Sequence, residues 1–125
     1  MAGNIRDAYI SAMTTTPAGR LPKPAELEEL ERHAAAAARL MKLMASEQRL
    51  ILMCRLGEGE CSVGELANHV GLAQSAASQH LAKLRAEGVV ATRRDGQTIY
   101  YRLDDPAAAR VIDTLCDIYR GQPTA

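Results

Sequence analysis

The sequence predicts a mainly α-helical fold with one small β-hairpin, arranged as a winged helix-turn-helix. Three observations support this prediction. Two short helical segments flank a tight turn at Gly71, and the second shows small polar side chains on one face. Two β-like segments with paired arginines follow, joined by Asp95-Gly96, a strong hairpin signal. Phe and Trp are absent from the 125 residues, so the core must be aliphatic, which suits helices packed in one domain.

We expect residues 1–24 to form a flexible arm, because the tract from Thr14 to Pro24 is rich in turn-forming residues. Residues 25–122 then form the domain, and 123–125 a short tail. Apolar residues three and four apart predict a first helix of roughly 20 residues: Leu27, Leu30, Ala34, Ala37, Met41 and Met44. A second stripe is formed by Leu40 and Leu43. Two stripes need two surfaces, so we expect one to face the core and the other a second copy of the chain.

The next two helices have recognisable ends in the sequence. Ser46 has the position of an N-cap for a second helix over 47–57. Ser62 and Glu65 have the spacing of a capping box, which opens a third helix ending near His69.

The fourth helix is predicted over 74–87. It begins after Ala73, a poor N-cap, and stops before Gly88, a typical C′ residue. Strands are predicted over 89–94 and 98–103. A last helix is predicted from Pro106, with an apolar face formed by Ala108, Val111, Ile112, Leu115, Ile118 and Tyr119.

The fourth helix carries the polar face that this fold needs to read DNA. Its inward side is formed by Ala77, Leu81 and Leu84. The opposite side presents Gln74, Ser75, Ser78 and Gln79, whose side chains can bond base edges. Contacts to the DNA backbone or minor groove are predicted for Lys83, Arg85, Arg93, Arg94 and Gln97. His80 is about as consistent with packing inside the domain as with a DNA contact.

The charge distribution supports this DNA-binding surface, although the chain as a whole is neutral. It has 15 basic and 15 acidic residues, but residues 74–102 hold five basic and two acidic side chains, a balance of +3. A local basic face on a neutral protein favours sequence-specific binding to double-stranded DNA. Each element alone is also consistent with an ordinary solvated surface, and it is their order and spacing together that favour DNA binding.

Other classes of function fit the sequence less well. We find no glycine-rich phosphate loop, no paired carboxylates and no cysteine near a motif-placed histidine, so we expect neither an enzyme nor a cofactor. A winged helix used only for protein contacts usually lacks the wing arginines and the polar face. RNA binding would need an exposed aromatic platform. The sequence has no apolar run of membrane-spanning length and no signal peptide, so we expect a cytoplasmic protein without a membrane partner.

The chain resembles the ArsR/SmtB family of small dimeric repressors over roughly residues 26–122. The resemblance is carried by residues 44–52 (MASEQRLIL), 62–67 (SVGELA), 78–81 (SQHL), Leu84, 88–90 (GVV) and 100–103 (YYRL). It implies an α-β winged helix, a homodimer built on the first and last helices, and repression relieved by an inducer. A twofold dimer predicts an inverted-repeat operator with half-sites about 34–36 Å apart.

The resemblance implies no metal site. Metal-sensing members of the family carry Cys-Val-Cys or Cys-Val-Gly where this chain has Ser62-Val63-Gly64. Other members use Asp and His pairs on the last helix, and no histidine follows His80 here.

Cys54 matches the first cysteine of the family's sulfide- and redox-responsive branch, the BigR, SqrR and HlyU type. These proteins are taken to link that cysteine to another on the last helix, where this chain has Cys116. The branch's second cysteine aligns without gaps with Arg120, one turn after Cys116. The resemblance thus implies that a persulfide or an oxidant links Cys54 to Cys116 and releases the operator.

The three cysteines also allow other interpretations. Their odd number, without a secretory signal, argues against structural disulfides. Cys54 could be a buried small hydrophobic residue, and Cys116 part of dimer packing. Cys61 lies next to a predicted helix N-terminus, which predicts a lowered thiol pKa. It could be a reactive bystander or a third thiolate for a soft metalloid such as arsenite.

Overall fold

The computed structural model describes residues 23–124 and confirms a mainly helical winged helix with a small antiparallel sheet. The chain order is α1 (Pro24–Arg32), α2 (Ala34–Met44), α3 (Glu47–Gly57), β1 (Cys61–Ser62), α4 (Val63–Val70), α5 (Gln74–Ala86), β2 (Val90–Asp95), β3 (Thr98–Leu103) and α6 (Pro106–Tyr119). The described residues belong to two compact units, with 23–37 in the first and 38–124 in the second. Most of the predicted arm lies outside the described residues, so the domain boundary at residue 24 stays a prediction.

The prediction of one continuous first helix of roughly 20 residues is wrong, because the helix is interrupted at His33 and forms two helices, α1 and α2. The backbone of His33 has φ −108° and ψ 12°, outside the helical region. Its amide donates to the carbonyl of Leu30 at 3.0 Å, a tightened last turn that ends α1. Within the described part of the first unit, Leu27 and Leu30 are both exposed.

The core of the second unit explains why its helices are held in place. The side chains of Leu52 and Met53 in α3, Leu66 in α4, and Leu81 and Leu84 in α5 are fully buried. Burying each aliphatic side chain of this size contributes about 1.5–3 kcal/mol. The core therefore anchors one side of α4 and one side of α5, and leaves the opposite side of α5 to the solvent.

The sheet contains a strand that the sequence reading missed. Its order is β1-β3-β2, and the two-residue strand β1 pairs Cys61 with Tyr101. The hairpin loop is also one residue later than predicted, because Asp95 pairs with Thr98 and leaves Gly96-Gln97 as the loop. Gly96 has φ 63°, which suits the first loop position of a type II′ turn.

Several predicted helix ends are confirmed. The Ser46 hydroxyl accepts a hydrogen bond from the Arg49 amide at 3.4 Å, and the Ser62 hydroxyl accepts one from the Glu65 amide at 3.2 Å. Ala73 provides no side-chain cap for α5, as its identity predicts. Among residues 23–124, no helix is both long enough and apolar enough to cross a bilayer.

Candidate DNA-binding surface and thiol cleft

Helix α5 presents the polar face that the sequence predicted. Its inward side is buried through Ala77, Leu81 and Leu84. On the outward side, Gln74, Ser75, Gln79, Lys83 and Arg85 are exposed, while Ser78 and His80 are half-buried. The glutamine and serine side chains therefore project from the helix where base edges could be bonded, and the two cations follow one to two turns later.

The two wing arginines have different surroundings, which the sequence did not predict. The Arg93 guanidinium donates to the Glu60 carboxylate at 2.7 Å and lies 4.5 Å from the centre of the Tyr100 ring. The hydrogen bond and the charge of Glu60 raise the pKa of Arg93. Arg94 and Gln97 are exposed, and Arg94 makes no ion pair within the described part of the chain. Arg93 is thus held by the protein, whereas Arg94 extends from the wing.

A second ion pair connects α5 to α2. The Arg39 guanidinium donates to both carboxylate oxygens of Glu87, at 2.8 and 3.2 Å. This hydrogen bonding and the negative charge of Glu87 raise the pKa of Arg39. Glu87 is the C-cap residue of α5. No local pattern could have revealed this contact, because the two residues are 48 positions apart. The pair connects the C-terminal end of α5 to α2, whose Leu43 and Met44 belong to the core.

A cleft of about 580 Å³ lies between α3, the loop after it, β3 and α6, and both Cys54 and Cys116 line it. Its apolar lining is formed by Leu56, Leu103, Ala109 and Ile112. Its charged lining is formed by Glu58, Glu60, Arg102 and Asp113, none of which was singled out as part of a site from the sequence. Cys54 is half-buried, Cys116 is exposed, and both thiols are free. The cleft volume falls in the range of small-molecule sites.

The two cysteines of the cleft are close enough to affect each other. Burial raises the pKa of the Cys54 thiol most, followed by the charge of Cys116, a hydrogen bond with Cys116 and the charge of Glu58. Arg120, which aligns with the branch's second cysteine, is the residue after the end of α6, pairs with Asp117 at 2.9 Å and does not line the cleft. In this chain it is therefore Cys116 that shares the cleft with Cys54.

The prediction of a lowered thiol pKa for Cys61 is wrong. Cys61 is buried in β1, and burial together with the Glu65 carboxylate raises its pKa, against smaller opposing effects of Arg55 and the Ser62 amide. Desolvation of the thiolate thus outweighs the helix terminus that the sequence suggested. Cys61 does not line the cleft. Within residues 23–124, no group of three or more His, Cys, Asp or Glu side chains is arranged to hold a metal ion.

A helix with an outward polar face, preceded by a short helix and followed by a basic hairpin, defines a winged-helix DNA-binding regulator. The comparisons with known proteins agree with this class. The family model described as "Bacterial regulatory protein, arsR family" matches residues 46–92. The chain belongs to this ArsR family, whose members are transcriptional regulators rather than enzymes.

Two relatives and one solved structure illustrate the similarity. The "Transcriptional activator HlyU" of Vibrio cholerae is 45% identical over 77% of this chain and 89% of its own length. A "Biofilm growth-associated repressor" of Xylella fastidiosa is 42% identical over 76% of this chain and 83% of its own length. The solved structure of reduced HlyU from Vibrio cholerae has a TM-score of 0.70 and 44% identity, over 74% of this chain and 98% of that structure.

Proposed function

We propose that this chain is a repressor that binds an inverted-repeat operator as a homodimer and leaves it when Cys54 and Cys116 become linked. The inducer is a sulfane-sulfur donor, such as a persulfide or polysulfide, or an oxidant. The observation that carries the proposal is the shared cleft, which is lined by a thiol of α3 and a thiol of α6 that are close enough to raise the pKa of Cys54. A relative described as a repressor supports the direction of regulation.

The bridging reaction proceeds in two steps with a persulfide R–S–SH. The thiolate of one cysteine attacks the sulfane sulfur, forms Cys–S–SH and releases RS⁻. The thiolate of the second cysteine then attacks the inner sulfur, forms the Cys54–Cys116 disulfide and releases HS⁻. The two cysteines lose two electrons, and the donor takes them up as thiolate and hydrosulfide. With a peroxide ROOH, the first thiolate attacks the terminal oxygen, breaks the O–O bond, forms a sulfenic acid and releases RO⁻. The second thiolate then forms the disulfide and releases hydroxide, which is protonated to water.

The bridge affects DNA binding through α6 in this proposal. Cys116 lies within one turn of Ile118 and Tyr119, which are 41% and 62% exposed and offer an apolar surface to a second copy. A covalent link to α3 restricts α6, so the dimer contact and the separation of the two α5 helices change together. A tenfold loss of operator affinity requires only about 1.4 kcal/mol of differential stabilisation.

The DNA contacts in this proposal are made by the polar and basic side chains of α5 and of the β2–β3 hairpin. Gln74, Ser75, Ser78 and Gln79 contact bases, with His80 at the edge of this set. Lys83, Arg85, Arg94 and Gln97 contact the phosphate backbone or minor groove, and Arg93 joins them when it leaves Glu60. The uncapped first turn of α5 also leaves backbone amides available for a phosphate oxygen.

The proposal is tested by measuring operator affinity of the reduced protein before and after treatment with sodium tetrasulfide. The DNA is an operator chosen from a random library by the reduced protein. We expect wild type and Cys61→Ser to lose at least tenfold in affinity, and reductant to restore it. Cys54→Ser and Cys116→Ser should bind the operator with wild-type affinity and keep that affinity after tetrasulfide treatment, because neither variant can form the bridge.

If wild type, Cys54→Ser and Cys116→Ser all release the operator equally after tetrasulfide treatment, the response does not depend on a Cys54–Cys116 bridge. Mass spectrometry of the treated protein identifies the product. A bridged product has lost two hydrogens, with or without added sulfur atoms. Arsenite serves as the probe of the metalloid alternative, and release by arsenite but not by tetrasulfide would favour that alternative. No response to either reagent would favour a winged helix without an inducer.

A further inference from the structure

We propose that the cleft selects sulfur donors by charge, taking small donors with a neutral or cationic substituent and disfavouring anionic ones. This inference rests on the proposed function, because it names the class of molecule that reacts at the Cys54–Cys116 pair. It concerns the reaction of the thiols and not the release of DNA, so the two can be tested separately.

The lining of the cleft is predominantly acidic. Three carboxylates and one guanidinium line it, from Glu58, Glu60, Asp113 and Arg102. The only cation of the lining, Arg102, lies 3.7 Å from the Asp104 carboxylate just outside it. With the ion-pair partners of the lining counted, four carboxylates outnumber three guanidinium groups by one, so an anionic substituent entering the cleft meets an excess of negative charge.

Two of the three carboxylates have partners, and the third does not. Glu58 is paired with Arg55 at 3.1 Å, and Glu60 with Arg93 at 2.7 Å. Asp113 makes no ion pair and no side-chain hydrogen bond within the described part of the chain. It is exposed on α6, three residues before Cys116 and on the same side of the helix. Residues at this spacing have side chains about 5–6 Å apart.

The apolar part of the lining favours donors whose substituent also contains a hydrocarbon segment. Leu56, Leu103 and Ile112 cover the side of the cleft that faces the core. A hydrocarbon substituent on the donor can contact this surface while its sulfur atoms reach the thiols. A short aminoalkyl persulfide combines both features, since its ammonium group is attracted to Asp113. A carboxyalkyl persulfide of the same length is repelled there.

The test measures the rate at which charged reagents modify Cys116. The protein carries Cys54→Ser and Cys61→Ser, so Cys116 is the one thiol present. The reagents are aminoethyl and sulfonatoethyl methanethiosulfonate, each normalised to its rate with a free small thiol. In each reaction the thiolate attacks the sulfenyl sulfur, forms a mixed disulfide and releases methanesulfinate. We expect the cationic reagent to react faster.

Asp113→Asn should lower the ratio of cationic to anionic rates by about tenfold, because one charge about 6 Å away changes each rate about threefold in opposite directions. Asp113→Glu keeps the charge and should keep the ratio. Glu47→Gln, at the far end of α3 and outside the cleft, is the matched control for net charge. In the Cys54→Ser/Cys61→Ser protein with Asp113 intact, the ratio should fall as salt is added.

Native donors provide the second arm of the test. Aminoethyl persulfide should link Cys54 to Cys116 in the wild-type protein faster than carboxyethyl persulfide does, and Asp113→Asn should reduce that difference. In the Cys54→Ser/Cys61→Ser protein, a normalised ratio at or below one, or a ratio that changes less than twofold when Asp113→Asn is added, overturns the inference. Either result would leave the outcome of the DNA-release experiment unaffected. Conversely, a failure of the protein to release DNA would not change these reaction rates.

Discussion

The pKa of the Cys54 thiol, and with it the reactivity of this cysteine, is set by the residues that surround it in the folded chain. Burial raises its pKa, and Cys116 and Glu58 raise it further. The neutral thiol is therefore favoured in the folded protein at neutral pH, and the thiolate becomes more abundant as the pH rises. Because the pKa in the folded state lies above that of the unfolded chain, the associated stabilisation is present at low pH and is lost as the pH rises through the folded pKa.

Removing Cys116 should lower the pKa of Cys54, because the second and third largest causes of the shift disappear. The measurement is the pH dependence of Cys54 alkylation by iodoacetamide in Cys61→Ser and in the Cys61→Ser/Cys116→Ser variant. We expect the rate profile of the double variant to move to lower pH. Identical profiles would mean that the two thiols do not interact in the reduced protein.

At the scale of elements, the wing shows what the sequence could and could not predict. The hairpin was predictable because Asp95-Gly96 is a local signal, although the loop itself shifted by one residue. The strand β1 was not, because two residues carry no alternation and gain their pairing from β3. Likewise, nothing local distinguishes Arg93 from Arg94, and only the folded chain brings Glu60 next to Arg93.

The helices follow the same rule. Ser46 and Ser62 act through neighbours three residues away, so their caps were predictable from the sequence. The break at His33 was not, because the apolar spacing continues through it. The family resemblance paired Cys54 with Cys116 in advance, although the branch's second cysteine aligns without gaps with Arg120. Their common place in one cleft depends on how the core positions α3 and α6.

Glu60→Gln should free Arg93 for a phosphate contact, because the amide cannot replace the ion pair. We expect tighter operator binding at low salt and a slope of log affinity against log salt that is steeper by about one. The effect on folding should be small, since exposed ion pairs contribute at most about 1 kcal/mol. Adding Arg93→Ala should abolish the gain. An unchanged salt slope in Glu60→Gln would indicate that Arg93 does not reach DNA.

At the scale of the whole molecule, the proposal requires two copies that hold their α5 helices at a fixed separation. Exposed apolar residues of α2 and α6 in the second unit supply candidates for this contact: Met41, Ile118 and Tyr119. Those on α6 lie beside Cys116, so the same helix would serve the dimer and the thiol response. The ion pair between Arg39 and Glu87 connects α2, which carries Met41, to the C-terminal end of α5.

Ile118→Lys should convert the dimer to a monomer, because a charged side chain replaces an apolar one at the proposed interface. Ile51→Lys is the matched control, since Ile51 on α3 is 43% exposed and Ile118 is 41% exposed. Analytical ultracentrifugation should give a monomer mass for the first variant and a dimer mass for the second. A dimer that survives Ile118→Lys would place the interface elsewhere.

Selection of bound sequences from a random DNA library tests the central claim most directly. For the reduced wild-type protein we expect two inverted half-sites with centres about one helical turn apart, ~34–36 Å. Gln79→Ala should relax the same base position in both half-sites, while Lys83→Ala should keep the sequence and weaken binding to all DNA. A single unrepeated site, or no enriched sequence at all, would contradict a symmetric dimer that reads DNA through α5.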